Sequence, residues 1–185
     1  MLRIRFHGRG GQGMKTASRI LGSAASHAGL VVQDSPVYGA ERRGAPMGAF
    51  TRIAREPIRE RGMIARPDLV VIADDTLLAD PIVLPLGGCD AFSTVLLNST
   101  KTEAELQQSG VPLVGRLLIA DFTTMAFSAT QSLASLSVVL GVAAVCLCDL
   151  TLDSALAGVE AELSSTLPAE QRVSNVALAK NVYEY

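Results

Sequence analysis

Hydrophobic positions recur along the chain with two periods, and the switches between them mark out its elements. Leu2 to Phe6 alternates apolar and basic side chains, the period of a strand with one face on a core. Ala17, Ile20, Leu21, Ala24, Ala25 and Ala28 then lie three and four apart, which is one face of a helix. Gly29 supplies a cap, and Leu30 to Gln33 predicts a second strand. Met47 to Ile53 predicts another, followed by a short one at Ile58 to Arg61. Asp68 to Ala73 is continuously apolar in its middle, as in a parallel strand buried on both faces, and Phe92 to Asn98 and Arg116 to Asp121 repeat that character. Thr102 to Ser109 reads as a polar helix between the last two. Beyond Thr124 the chain turns helical, with helices predicted over Ser132–Cys148, Leu152–Leu163 and Ala169–Tyr183, the last two amphipathic.

This alternation predicts an α/β architecture: a Rossmann-like, doubly wound, mostly parallel sheet with a helical C-terminal part. No repeat, linker or low-complexity tract interrupts it, so residues 1–185 read as a single domain. The second crossover is irregular. Asp34-Ser-Pro-Val-Tyr-Gly-Ala-Glu-Arg-Arg-Gly-Ala-Pro46 carries two prolines and two glycines, which forbid a regular helix and predict a long, structured loop.

Between the first strand and first helix stands His7-Gly-Arg-Gly-Gly-Gln-Gly-Met-Lys15. Gly8, Gly10, Gly11 and Gly13 free the backbone to turn tightly, and the loop amides sit at a helix N-terminus that favours anions. Gly8, Gly10 and Gly13 satisfy the dinucleotide pattern G-x-G-x-x-G, with Asp34 at roughly the distance of a ribose contact. Gln12 offers an amide donor and acceptor at the loop tip, and Lys15 adds a positive charge where the helix dipole disfavours one unless an anion or carboxylate is near. The alternative is a tight turn without a ligand.

Loops leaving the carboxyl ends of strands share one crevice in such a sheet, so Tyr38-Gly-Ala-Glu41-Arg42-Arg43-Gly44 is expected beside the glycine loop. Glu41 can pair within the loop, but one carboxylate cannot satisfy both Arg42 and Arg43. Asp74 and Asp75 are adjacent on an extended segment and point apart, so a helix cap before Thr76 is the expected role rather than a catalytic pair. His27 reads as structural, and His7 has no serine, cysteine or acid in triad spacing. No catalytic set is found.

Composition sharpens this. Of 185 residues 49% are hydrophobic and 18% charged, an apolar balance that points to a subunit with buried interfaces. Net charge is −2, but residues 1–66 hold 12 of 16 basic and 4 of 18 acidic side chains, +8, leaving −10 on the remainder. So basic an N-terminal part suits an anionic ligand or an acidic neighbouring subunit. Cys89, Cys146 and Cys148 are too few for an iron–sulfur or zinc site, so no metal is expected here, and an odd count without a signal peptide points to a reducing cytoplasm. Leu133 to Leu147 falls short of the ~20 residues of a membrane span and reads as a buried or interface helix.

Taken together, Gly-Arg-Gly-Gly-Gln-Gly after the first strand and Ser-Pro-Val-Tyr-Gly-Ala-Glu-Arg-Arg-Gly-Ala-Pro-Met-Gly-Ala-Phe-Thr-Arg-Ile after the second resemble the gamma subunit of 2-oxoacid:ferredoxin oxidoreductases, closest to the pyruvate type. The resemblance continues through Pro57-Ile58-Arg59 and Arg66-Pro67-Asp68-Leu69-Val70-Val71. It departs at Leu136-Ser-Val-Val-Leu-Gly-Val-Ala143, where the family carries an asparagine before Met-Leu-Gly-Ala. The resemblance implies a non-catalytic subunit of an enzyme that oxidatively decarboxylates pyruvate or a related 2-oxoacid to an acyl-CoA. It implies alpha, beta and ferredoxin-like delta partner subunits holding thiamine diphosphate, Mg and 4Fe-4S clusters, with ferredoxin or another acceptor beyond them. This chain would hold no cofactor alone, pack over the active site, and contact or gate coenzyme A through Gly8, Gly10, Gly11, Gln12, Gly13, Lys15, Tyr38, Glu41, Arg42 and Arg43. No nucleic acid partner is expected. A free-standing NAD or FAD oxidoreductase and a purely structural subunit are the competing readings.

Overall fold

A computed structural model describes residues 1–37 and 44–184. Six strands form one sheet: β1 Leu2–Arg9, β2 Val31–Val37, β3 Pro46–Ala54, β4 Leu69–Ile72, β5 Thr94–Asn98 and β6 Arg116–Ala120, in the order β2-β3-β1-β4-β5-β6. β4, β5 and β6 run parallel to β1, whereas β3 is antiparallel to both β1 and β2. Only β3 therefore runs against the rest. Its register on β1 is long, from Leu2 opposite Ile53 to Arg9 opposite Pro46.

The helices are α1 Met14–His27, α2 Glu103–Gln108, α3 Phe122–Thr130, α4 Leu136–Leu147, α5 Leu152–Leu163 and α6 Ala169–Glu184, with short 3-10 turns at Asp75–Ala79 and Leu133–Ser135. One face of the sheet presents Ile4, Phe6, Ala49, Ile53, Leu69, Val71 and Leu96 to α1, α4, α5 and α6, forming the main core. Burying these chains, at about 1.5–3 kcal/mol each, is the main source of stability. The other face is thinly covered. Val70, Ile72, Val95 and Leu97 pack on Leu106 of α2, and irregular segments close the remainder. Pro81, Pro85, Gly87 and Gly88 keep one of those segments from forming a helix.

Several boundaries differ from expectation. β2 continues through Pro36 to Val37, because β2 is an edge strand and a proline there removes no ladder bond. Ile58–Arg61 forms no strand; Pro57 interrupts, and the Arg61 guanidinium binds the carbonyls of Ile58 and Glu60. The helix expected from Ser132 opens as a 3-10 turn and becomes α4 only at Leu136. α4 buries Leu136 through Leu140, Val142, Ala144 and Val145, so its apolar excess is satisfied inside the chain rather than at an interface. α6 buries a single stripe, Asn175, Leu178, Ala179 and Val182. Among the described residues no helix is long and apolar enough to cross a membrane.

Candidate functional site

The glycine loop leaves the carboxyl end of β1 and enters α1. Gly13 is the N-cap with φ 73°, and a Cβ there would lie 2.6 Å from the Cβ of Ser137, so both conformation and close approach to α4 require glycine. No side chain caps α1 and no acidic residue occupies its first turn, so its amides are not satisfied by a local carboxylate. A groove of about 790 Å³ runs past Gly11, Gly13, Lys15 and Thr16 to the α3–α4 turn and the start of α6. Arg19 and Glu162 lie on its wall and pair at 3.8 Å. These features fit an anionic group at the start of α1.

The loop is braced from β4. The Gln12 side chain accepts from the Arg9 amide at 2.7 Å and donates to Asp74 at 3.1 Å. Gln12 therefore holds the loop's shape rather than projecting its amide outward. Arg9 Nε donates to the same Asp74 oxygen at 3.1 Å, and its Nη2 donates to the Thr76 hydroxyl at 2.6 Å. Asp74 also accepts from the Thr76 amide as N-cap of the 3-10 turn. Burial alone would raise the Asp74 pKa; the Thr76 bonds, the Gln12 amide and the Arg9 charge outweigh it and hold the carboxyl below its ordinary value. Asp75 points elsewhere, to the Ser99 hydroxyl at 2.7 Å and Lys101 at 3.1 Å, so the two carboxylates form no catalytic pair.

Tyr38, Glu41, Arg42 and Arg43 lie outside the described residues. The end of their loop does not: Gly44 N donates to Gly10 O at 3.1 Å, Gly10 N donates to Ala45 O at 2.8 Å, and Arg9 Nη1 reaches Gly44 O. The two motifs meet at Gly10. Gly8 lies inside β1 and pairs with Met47.

Asp34 is not brought to the loop. It accepts from the Thr51 hydroxyl at 3.0 Å, burial raises its pKa, and its other neighbours are Ser18 and Arg19 in the body of α1. β3 stands between β1 and β2, moving Asp34 one strand spacing, about 4.8 Å, farther from the loop than a dinucleotide site requires. His7 is buried on the thin face, its pKa pushed down to about 4 by burial and by the Arg5 charge, so it is neutral at physiological pH. His27 is exposed in the last turn of α1. Cys148 is pushed up to about 12, first by burial and then by neighbouring acids, which leaves its thiol protonated. Among the described residues no three His, Cys, Asp or Glu side chains gather as a metal site. The sequence pattern missed Arg9, Asp74 and Thr76 as braces; the signal for Arg9 was a charged side chain at the exit of a strand in a motif otherwise of glycines.

A strand-to-helix glycine loop tied through Gly10 to the entrance of an inserted antiparallel strand defines an α/β domain of the dinucleotide-fold type with an altered second crossover. A model of the pyruvate ferredoxin/flavodoxin oxidoreductase family matches residues 3–185, and the chain belongs to that family. It is 36% identical over 184 residues to the common gamma subunit of the pyruvate/ketoisovalerate oxidoreductases of Pyrococcus furiosus, covering 100% of this chain and 96% of the relative. The crystal structure of pyruvate oxidoreductase subunit PORC from Thermotoga maritima aligns with a TM-score of 0.82 at 30% identity, covering 99% of this chain and 95% of that one. A 2-oxoglutarate:ferredoxin oxidoreductase from Magnetococcus marinus, solved with 2-oxoglutarate, coenzyme A and succinyl-CoA, shares the fold with a TM-score of 0.72 at 15% identity; this chain spans 31% of it. The chain is thus a gamma-type subunit of a keto/oxoacid ferredoxin oxidoreductase complex.

Proposed function

We propose that this chain is the non-catalytic gamma subunit of a thiamine-diphosphate-dependent 2-oxoacid:acceptor oxidoreductase, and that it packs over the active site and helps bind or gate coenzyme A. Pyruvate is the proposed 2-oxoacid, with ferredoxin as acceptor. Thiamine diphosphate and the iron–sulfur clusters supply the decarboxylation and electron transfer from partner subunits. The observation that carries the reading is the uncapped start of α1 joined at Gly10 to the end of the loop that holds Arg42 and Arg43. Amides of Gly11, Gly13 and the first turn of α1 can receive a phosphate oxygen, and a guanidinium can add a bidentate contact.

Losing one such charge-assisted contact costs roughly 1.5–3 kcal/mol, about 10- to 150-fold in affinity. In the assembled enzyme Arg42→Ala or Arg43→Ala therefore raises the KM for CoA and leaves the CoA-independent half-reaction intact. Equal loss of every partial reaction would instead mean that the arginines hold subunits together, the purely structural reading. An unchanged CoA response in both variants would refute the proposal.

A further inference from the structure

We propose that the groove running from the start of α1 to the start of α6 binds an organic phosphate, with the phosphate on the α1 amides and a body bearing N–H or O–H donors along the groove. The inference rests on the reading of the α1 start as a phosphate seat, and it gives the rest of the ligand a place and a chemistry.

The groove is polarised. At its α1 end the backbone donates: Gly13 caps the helix without a side-chain acceptor, and the first turn carries no acid. Farther along, the lining hydroxyls spend their protons on the chain itself. Thr130 donates to Ala126 O at 2.9 Å, Ser137 to Ala134 O at 2.8 Å, Thr166 to Glu162 O at 3.2 Å and Ser174 to Gln171 O at 3.0 Å. A hydroxyl has one proton, so these four offer the groove lone pairs only.

Asn175 points independently to a ligand. It lines the groove and is only 3% exposed. Its Nδ2 donates to Gln171 O at 2.7 Å, and its Oδ1 has no partner among the described residues. Turning the amide over would set Oδ1 against the Gln171 carbonyl, so the donated bond fixes which atom is left over. A buried acceptor without a bond is costly, and a ligand N–H or O–H lying in the groove supplies the missing donor.

Inorganic phosphate alone would use the α1 end and leave Asn175 as it is. The groove holds about 790 Å³, within the roughly 300–1,000 Å³ of small-molecule pockets. Val138, Leu163 and Leu167 stand among the acceptors and suit the carbon frame of an ester. Among the described residues its charged lining is Lys15, Arg19 and Glu162, two basic and one acidic, so no excess of negative charge opposes a phosphate.

The test titrates the full chain by calorimetry with AMP, ribose phosphate, phosphopantetheine and coenzyme A, and with inorganic phosphate for comparison. At least one ester binds about tenfold more tightly than inorganic phosphate. Inorganic phosphate binding as tightly as every ester leaves an anion seat without a groove and overturns the proposal. Asn175→Leu weakens the preferred ester about 3- to 10-fold, the loss of one hydrogen bond, and leaves inorganic phosphate within about twofold. The melting temperature of Asn175→Leu holds or rises, because an unsatisfied buried acceptor is gone. A lower melting temperature with unchanged ester affinity makes Asn175 structural only and overturns the proposal. Ser165→Trp, at an exposed position on the groove wall, fills the groove without touching the core and weakens the ester at least about tenfold. It gives the same readout if Asn175→Leu does not fold, and unchanged ester affinity in it overturns the groove. The assembled enzyme separates the groove from the coenzyme A reading. Groove variants that lose ester affinity, while neither they nor Arg42→Ala and Arg43→Ala alter the CoA response, leave the groove to another organic phosphate and refute the coenzyme A reading. Arginine variants that raise the KM for CoA, with every ester bound equally by wild type and groove variants, keep the coenzyme A reading and overturn the groove.

Discussion

Asp74→Ala tests whether the glycine loop is held from β4. The substitution removes an N-cap bond, worth about 0.5–2 kcal/mol. It also removes the charge-assisted contact with Arg9, and contacts of that kind contribute about 1.5–3 kcal/mol. Arg9 stays 31% exposed and keeps the Thr76 hydroxyl, so the second figure belongs at its low end. The expected loss is about 2–4 kcal/mol, and at roughly 2–4 °C per kcal/mol for a chain this size the melting temperature falls by about 4–16 °C. Asp74→Asn keeps one acceptor for the cap and loses about half as much. Because the folded carboxyl has a lowered pKa, its contribution is complete above the unfolded value, near 3.9, and fades as pH falls through the folded one. The gap between wild type and Asp74→Asn in calorimetric melts therefore narrows below about pH 4. A double-mutant cycle with Arg9→Met gives a coupling of at least about 0.5 kcal/mol. Melts of both Asp74 variants within 1 °C of wild type, or zero coupling, refute the brace; the 1 °C threshold is small beside the about 2 kcal/mol minimum loss.

Two further outcomes concern His7 and Gly13. His7 is neutral in the folded chain, with a pKa of about 4 against 6.5 when unfolded, so the unfolded state binds the extra proton and stability falls as pH drops from 6.5 toward 4. His7→Leu removes that slope, gaining about 2–3 kcal/mol on wild type at about pH 4.5; identical pH slopes in urea titrations refute it. Gly13→Ala places a methyl 2.6 Å from Ser137 at φ 73°, which combines about 1–2 kcal/mol of strain with about 1–3 of overpacking. Ser137→Gly in the same chain recovers only the overpacking part, as read by chemical denaturation.

The helices were the most legible part of the sequence. α5 spans Leu152–Leu163, the range its apolar spacing predicts, because an uninterrupted 3.6-residue period depends only on neighbours along the chain. Thr102, as cap of α2 with Glu105 reciprocating, is readable for the same reason. Strand pairing is not local, and periodicity carries no direction. Nothing in Met47 to Ile53 distinguishes an antiparallel strand beside β1 from a parallel one, so the insertion of β3 became visible only in the sheet. The glycine loop was found from its motif, but its brace was not. Gln12 meets Asp74 across 62 residues, and only the parallel pairing of β1 with β4 brings the two ends together.

That pairing changes what the glycine motif means. In a dinucleotide fold the acidic residue ending the second strand reaches the loop because the second strand adjoins the first. Here β3 occupies that place, and Gly10 meets instead the backbone of Gly44 and Ala45 at the entrance to β3. The same insertion that carries Asp34 away delivers the end of the arginine-bearing loop to the glycines. Gln12, Arg9 and Asp74 fix the other side, so the loop is locked between β4 and β3 while its turn beside Gly11 stays open. A glycine loop held this firmly presents Gly44, Ala45 and an uncapped helix start in fixed register, the arrangement on which the proposed coenzyme A contact rests.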